Sequence, residues 1–258
     1  MEINLFGFDV KLGRQKPENI VNADAPCPFC DVKNLKDIIA TENDIILLKN
    51  KYNVIETAEQ FVIIEGKECK QDMPEYSKEH MHRLIRFSVN QWKKMIATKK
   101  YKAVLFFKNF GPMSGGTIRH PHMQIVAFPQ INANLLFSLK EFEGETIIQK
   151  NGVIFNVATC PRVGFGELNI IPEKNADMDT LADFIQIAVD YVKKYFIKRG
   201  SSYNIFFYHT NDNFYVKIMP RFATSPLFIG YNIHFLPNNT NLIVEEIRNI
   251  YFNKTTFK

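Results

Sequence analysis

One order of elements occurs twice in this chain: helix, strand, turn, strand, proline. From Lys78 to Thr98 the apolar residues Met81, Leu84, Ile85, Trp92, Met95 and Ile96 recur at helical spacing, with Ser88 on the same face. A strand follows at Lys102–Lys108, then a glycine-rich connection, Asn109–Arg119, and a second strand, His120–Phe128, that stops at Pro129. About a hundred residues later Asp179–Phe196 carries a second helical stripe (Leu181, Phe184, Ile185, Ala188, Val189, Val192, Tyr195). It leads into Tyr203–His209, a turn at Asn211-Asp212-Asn213, and Phe214–Met219 before Pro220. Leu105-Phe106-Phe107 matches Ile205-Phe206-Phe207 at an offset of 100, and Ile125–Pro129 echoes Lys217–Pro220. An internal duplication is expected: an α+β protein with a mostly antiparallel sheet and packed helices, its halves at 1–150 and 151–258. The first half adds short strands at Asp44–Lys49 and Phe61–Glu65, and residues 1–26 read as an irregular arm with a short strand.

Composition narrows the class. Of 258 residues 46% are hydrophobic and 23% charged, and 23 Phe with 10 Tyr supply a core without staples, which excludes a disordered or fibrous chain. The longest apolar runs, such as Ala103–Phe107, are far short of the roughly 20 residues of a membrane span. Met1-Glu2-Ile3-Asn4 lacks the basic start and long apolar stretch of a secretory signal. A soluble cytoplasmic protein with no membrane partner is expected. The net charge of +5 is spread over small lysine groups such as Lys93-Lys94 and Lys193-Lys194 rather than gathered into a stripe. That argues against nucleic acid as a partner and suits anionic small substrates.

The chemistry concentrates between Phe107 and Gln124. Side chains alternate along a strand, so His120, His122 and Gln124 share a face, directly after a glycine-rich loop. Two imidazoles and an amide aligned in this way are a poor filling for an apolar core and point to a site. Cys27-Pro-Phe-Cys30 has the spacing of half a tetrahedral zinc site. Its surroundings do not read as the strand-to-helix junction of a redox pair. Two more ligands would come from six histidines: His80, His82, His120, His122, His209 and His234. Cys69 and Cys160 stand alone and read as bystanders. Glu141, Glu143 and Glu145 alternate around Gly144 as a solvated turn, and Gly164-Phe165-Gly166 does not extend to a dinucleotide fingerprint.

These motifs together resemble the galactose-1-phosphate uridylyltransferase-like branch of the histidine triad superfamily, which also includes diadenosine tetraphosphate and ADP-sugar phosphorylases. The family pattern is C-x-x-C, a distant His before a helix, then N-x-G and H-P-H-x-Q. The chain supplies Cys27-Pro-Phe-Cys30, His80, Asn109-Phe-Gly111 and His120-Pro-His-Met-Gln124. The resemblance implies that Cys27, Cys30, His80 and His120 hold a structural zinc. It implies that His122 attacks the α-phosphorus of a nucleotide and becomes a covalent nucleotidyl-histidine, while Gln124 donates its amide to a phosphoryl oxygen. Asn109, Gly111, Gly115, Gly116 and Thr117 would line the phosphate path.

The implied activity is that of a nucleotidyltransferase, with a nucleotide-sugar or dinucleotide polyphosphate as donor and a phosphorylated acceptor. A Gln in the place of a third His builds in no acid or base for water, which favours transfer over hydrolysis. Two alternatives stay open: a phosphorylase or hydrolase on the same scaffold, and a zinc-stabilised nucleotide-binding protein without turnover. The family's second half carries a His-x-His pair; here the strand reads Val216-Lys217-Ile218, so no second metal is expected, with His209 left as a core or groove residue. The sugar-contacting Gly-Tyr-Glu of the family reads Gly230-Tyr231-Asn232, which weakens hexose recognition. Relatives often pair, so a homodimer is a possible partner state.

Overall fold

In a computed structural model the helical stripes become helices and the short apolar runs become strands, distributed over two units, residues 1–133 and 134–258. The structure describes residues 6–20, 22, 24–131, 136–196, 202–210 and 213–253. The division falls at 133/134; the expected boundary at 150/151 would cut the turn of a β-hairpin in the second unit. The turn at Asn211-Asp212-Asn213 lies partly outside the described residues.

The first unit begins with an arm that forms a four-residue helix, α1 (Val10–Gly13), where a short strand was expected; Phe8 makes only an isolated bridge to Ile55. It continues with β1 (Ile38–Glu42), β2 (Ile45–Lys49), β3 (Glu59–Ile64), α2 (Lys78–Ala97), β4 (Ala103–Phe110) and β5 (His122–Phe128). The strands pair antiparallel in the order β1-β2-β3-β5-β4. Helix α2 starts where Ser77 accepts a hydrogen bond from the His80 amide, and it ends before Lys99 at φ 54°. Its buried stripe, Met81, Leu84, Ile85, Ser88 and Trp92, faces the sheet. There the Trp92 indole donates to the Val104 carbonyl at 2.8 Å and its ring lies 5.6 Å from that of Phe106. Burying each of these large apolar side chains contributes roughly 1.5–3 kcal/mol. With α2 on one face of the sheet, the other face is left to β5's His122, Gln124 and Val126.

The second unit contains β6 (Gly144–Lys150), β7 (Val153–Ala158), β8 (Leu168–Pro172), α3 (Met178–Tyr191), β9 (Ser202–His209), β10 (Phe214–Arg221), α4 (Pro226–Tyr231) and α5 (Thr240–Ile247). Its strand order, β6-β7-β8-β10-β9, repeats that of the first unit element for element, with the helix again between third and fourth strands. Each unit is thus the expected α+β layer with an antiparallel sheet.

The face pattern moves the internal alignment by one residue. Phe106, paired with Ile125, faces α2. In the second unit Phe207 pairs with Val216, Val216 with Ile170 and Ile170 with Phe155, whose ring packs on Phe184 of α3 at 5.6 Å. Directly paired residues share a face, so the counterpart of Phe106 is Phe207, at an offset of 101 rather than 100. The sheet face that carries His122 in the first unit is therefore filled in the second. Fully buried Lys217 pairs with Glu167 at 3.0 Å, and the Phe142 ring packs on Tyr215 at 4.8 Å and on Tyr208 at 5.6 Å. No helix among the described residues is long and apolar enough to cross a membrane.

Candidate active site

Cys27 and Cys30 lie on one tight turn, closed by the Cys30 amide on the Cys27 carbonyl at 3.2 Å. Both sulfurs approach His120 Nδ1, at 3.6 and 3.5 Å. The fourth member of the group is Cys69, from the loop after β3; the ligand atoms of Cys27, Cys30, Cys69 and His120 all lie within 4.8 Å of one another. Three thiols and an imidazole are a standard tetrahedral zinc set, and bonds of about 2.3 Å to sulfur and 2.0–2.1 Å to nitrogen place S and N about 3.6 Å apart across a tetrahedral edge. The outer nitrogen of His120 donates to the Gly66 carbonyl at 2.8 Å, which leaves Nδ1 as the ligand atom.

The electrostatics fit a cation as well. Burial pushes the Cys27 thiol up, but hydrogen bonds with His120 and Cys30 outweigh it and draw the pKa down to about 6. Burial, with hydrogen bonds and charge from the Cys27 and Cys69 sulfurs, pushes Cys30 up to about 12, and burial raises Cys69 too. The first thiolate opposes the others, and a divalent ion removes that opposition. The donor set fits zinc.

Two expectations about this cluster change. Cys69, read as a bystander, joins the cluster. His80, read as a ligand, does not: its Nε2 donates to the Glu65 carbonyl at 2.8 Å, and its Nδ1 sits 3.9 Å from Asp44 Oδ1. The reason is sheet order. β3 pairs with β5, Ile64 opposite His122, so a residue just past the end of β3 arrives beside His120. The signal in the sequence is a cysteine five residues beyond a strand; it means nothing until that strand's neighbour is known.

His122 is 6% exposed, at the first position of β5. Its Nδ1 donates to the backbone carbonyl of His120 at 2.8 Å, and the Phe29 ring meets it edge-on at 5.3 Å. Burial, helped by the charge of Lys108 and opposed by the hydrogen bond to His120, draws its pKa down to about 4. At neutral pH the ring is uncharged with its proton on Nδ1, so Nε2 carries a lone pair, a competent nucleophile toward phosphorus.

His122 lines a cavity of about 630 Å³ within the first unit. Gln124, Asn109, Gly115, Gly116 and Thr117 line the same cavity. Gly111 is not among its walls: at φ 81° it opens the turn after β4, and its carbonyl accepts the Ser114 hydroxyl at 2.6 Å. Gly115 takes the left-handed conformation that glycine favours (φ 84°, ψ 7°), and a Cβ on Gly116 would sit 3.3 Å from Ser114 Oγ and 3.4 Å from Asn109 Cβ. Arg119 turns away, its guanidinium on the Asn19 carbonyl at 2.8 Å.

Behind β4, on the α2 face, fully buried Lys108 pairs with the carboxylates of Glu65 and, at 3.4 Å, Asp72. The Tyr76 hydroxyl donates to Glu65 at 3.1 Å, and the Glu65 amide donates to the Pro121 carbonyl at 3.1 Å. This network anchors the His120-Pro121-His122 segment. Nothing in the residue spacing announced it.

Sequence models of a family described as "Domain of unknown function (DUF4931)" match twice, the N-terminal domain over residues 8–131 and the C-terminal domain over 134–252. A DUF4931 family protein from Bacillus cereus ATCC 10987, of solved structure, is 35% identical, with a TM-score of 0.76 over 84% of this chain and 100% of that one. A solved uridylyltransferase, 14% identical, superposes with a TM-score of 0.71 over 88% of this chain and 91% of its own. An ADP-glucose phosphorylase from Arabidopsis thaliana with bound ADP-glucose, also 14% identical, does so at 0.67 over 88% and 93%. The two distant likenesses show a shared fold. No curated protein matches.

Proposed function

We propose, for a chain that belongs to the DUF4931 family, a nucleotidyltransferase reaction carried by His122. The donor is a nucleotide sugar or dinucleotide polyphosphate, and the acceptor bears a phosphate. The observation that carries this reading is the single free lone pair of a neutral, buried His122 at the wall of the cavity that Gln124, Asn109 and the Gly115–Thr117 loop also line.

In the first step Nε2 of His122 attacks the α-phosphorus. A P–N bond forms, the bond from phosphorus to the bridging oxygen breaks, and the leaving phosphate departs with the electron pair. In the second step an acceptor phosphate oxygen attacks the same phosphorus, the P–N bond breaks, and His122 returns to its neutral form. The Gln124 amide donates to a non-bridging oxygen in both steps, and the glycines let backbone N–H groups approach the phosphates. A zinc ion held by Cys27, Cys30, Cys69 and His120 would supply structural rigidity at the start of β5. The His120 carbonyl then holds the His122 ring, which limits the motion of the attacking nitrogen.

The test is the intact mass of the protein after brief incubation with UDP-, ADP- and GDP-sugars and with diadenosine polyphosphates, beside His122→Ala. A gain of one nucleoside monophosphate, absent in the variant, supports the covalent mechanism. Adding orthophosphate or a sugar phosphate to the adduct then separates phosphorolysis from transfer by the product released. Donor consumption without an adduct would move the reading to hydrolysis. Binding with neither would leave a nucleotide-binding protein.

A further inference from the structure

Gln60 is buried, 7% exposed, on the same sheet face as His122 and Gln124: it lies directly opposite Val126 and lines the same cavity. Its backbone is fully engaged, the amide donating to Asn53 Oδ1 at 3.0 Å and the carbonyl accepting from the Asn50 amide at 2.8 Å. Its side-chain oxygen accepts from the Ile55 amide at 3.2 Å, which fixes which end of the carboxamide is oxygen. What remains is Nε2 with two N–H donors, bonded to no described residue and opening on the cavity. An amide with two uncommitted donors at a cavity wall is a ready partner for an acceptor atom of a ligand.

The position defines the ligand atom. Val126 lies four residues along β5 from His122, about 13 Å at ~3.3 Å per residue, a span that a ribose and base cover from a phosphorus at His122. Beside Gln60 the cavity wall carries the apolar Val54, Ile55 and Val126, and Asn50 and Tyr52 also line it. Slots of this kind accept a flat ring, and their few polar groups set its identity.

We propose that Gln60 selects the nucleobase, donating to the carbonyl oxygen at C4 of uracil or C6 of guanine, so that the site prefers these two bases over cytosine and adenine, which carry an amino group at that position. A carbonyl offers two lone pairs to the amide, whereas the exocyclic amino group of adenine or cytosine meets it donor against donor. The inference deepens the reaction proposed above and rests on it only for which end of the cavity takes the phosphate.

The test uses the whole chain and two variants. Gln60→Glu keeps an oxygen for the Ile55 amide and turns the cavity-facing group from donor to acceptor. Gln60→Met removes both. Calorimetry with UMP, GMP, AMP and CMP reads binding without turnover, and KM and saturating rate for the matching nucleotide-sugar donors read it during turnover. Expected are a preference of tenfold or more for UMP and GMP in the unmodified protein, its reversal toward AMP and CMP in Gln60→Glu, and its loss in Gln60→Met. Saturating rates should change less than twofold.

Equal weakening of all four nucleotides in both variants would overturn the base assignment. If that weakening also vanished with 2′-deoxynucleotides, the amide would be reading the ribose instead. Binding of none of the four overturns it as well. The expected preference without any covalent adduct would sink the transfer reading and leave the base site standing.

Discussion

The Nδ1 of His122 donates to the backbone carbonyl of His120, 2.8 Å away. A residue of the cysteine cluster therefore sets the tautomer of the His122 imidazole, the proposed nucleophile, through two backbone positions, with no carboxylate in between. The usual partner of a catalytic histidine, an acid that raises its pKa, is replaced by a neutral acceptor, and burial then takes the pKa the other way, to about 4.

The acid limb of the nucleotidylation rate should follow from this. With a pKa of about 4, His122 remains neutral far below the ordinary imidazole range, so the single-turnover rate of adduct formation stays flat from pH 8 to about pH 5. A titration near pH 6.5 in that rate would mean that a different group limits the reaction. The linkage has a definite sign: between about pH 6.5 and 4 the unfolded chain binds a proton at this residue that the folded chain refuses, so stability falls as pH falls across that window. The shift corresponds to roughly 3 kcal/mol. Urea midpoints of the wild type and His122→Asn at pH 7.5 and 5 measure it, and the variant should show the smaller loss.

Metal content separates Cys69 from His80. Cys69→Ser should lose stoichiometric zinc, with affinity down at least tenfold, because one of four ligands has gone. His80→Ala should keep one zinc per chain and lose about 1 kcal/mol for its hydrogen bond to the Glu65 carbonyl. Chelator competition and atomic emission read both. Loss of zinc in His80→Ala alone would restore the ligand set expected from the sequence.

Lys108→Met should be strongly destabilising. It leaves the Glu65 carboxylate, which burial already drives toward protonation, without its partner, at a cost of about 3–5 kcal/mol. Adding Glu65→Gln should recover part of that loss in urea denaturation, since the amide needs no counter-charge, the rest belonging to Asp72, the second carboxylate on Lys108. An additive double variant would show that the pair does not act as a unit.

The glycine loop offers a graded pair. Gly115→Ala has no atom within 4 Å of the new Cβ but forces alanine to φ 84°, and should cost about 1 kcal/mol of stability. Gly116→Val crowds Asn109 and Ser114. It should raise KM for nucleotide donors severalfold with a smaller effect on the melting temperature. The reverse order in steady-state kinetics and thermal melts would place the phosphates elsewhere.

Strand alternation, with its period of two, put His122 and Gln124 on one face from the sequence alone, and both line the cavity. Helical spacing likewise marked the buried stripe of α2, including Ser88. The repeat of helix and paired strands was visible too, but its phase was off by one residue. Phe106-Phe107 and Phe206-Phe207 are chemically the same pair, and only the packing of Phe155 on α3 shows which ring of the second pair faces inward. Gln60 gave no signal, because a lone glutamine in a strand says nothing until the sheet turns it toward a cavity.

By itself, then, the sequence determined what is local: the order of elements, the faces of each strand and helix, and the His-x-His-x-Gln and C-x-x-C spacings. The tertiary structure decided whatever depends on chain neighbours far apart in number. Cys69 enters the cluster and His80 leaves it because β3 lies against β5. Burial keeps His122 neutral, and Phe29, far earlier in the chain, packs edge-on against its ring. Periodicity is a property of a few bonds and is written in consecutive residues. Coordination and desolvation are set by distance in space, which only sheet pairing fixes.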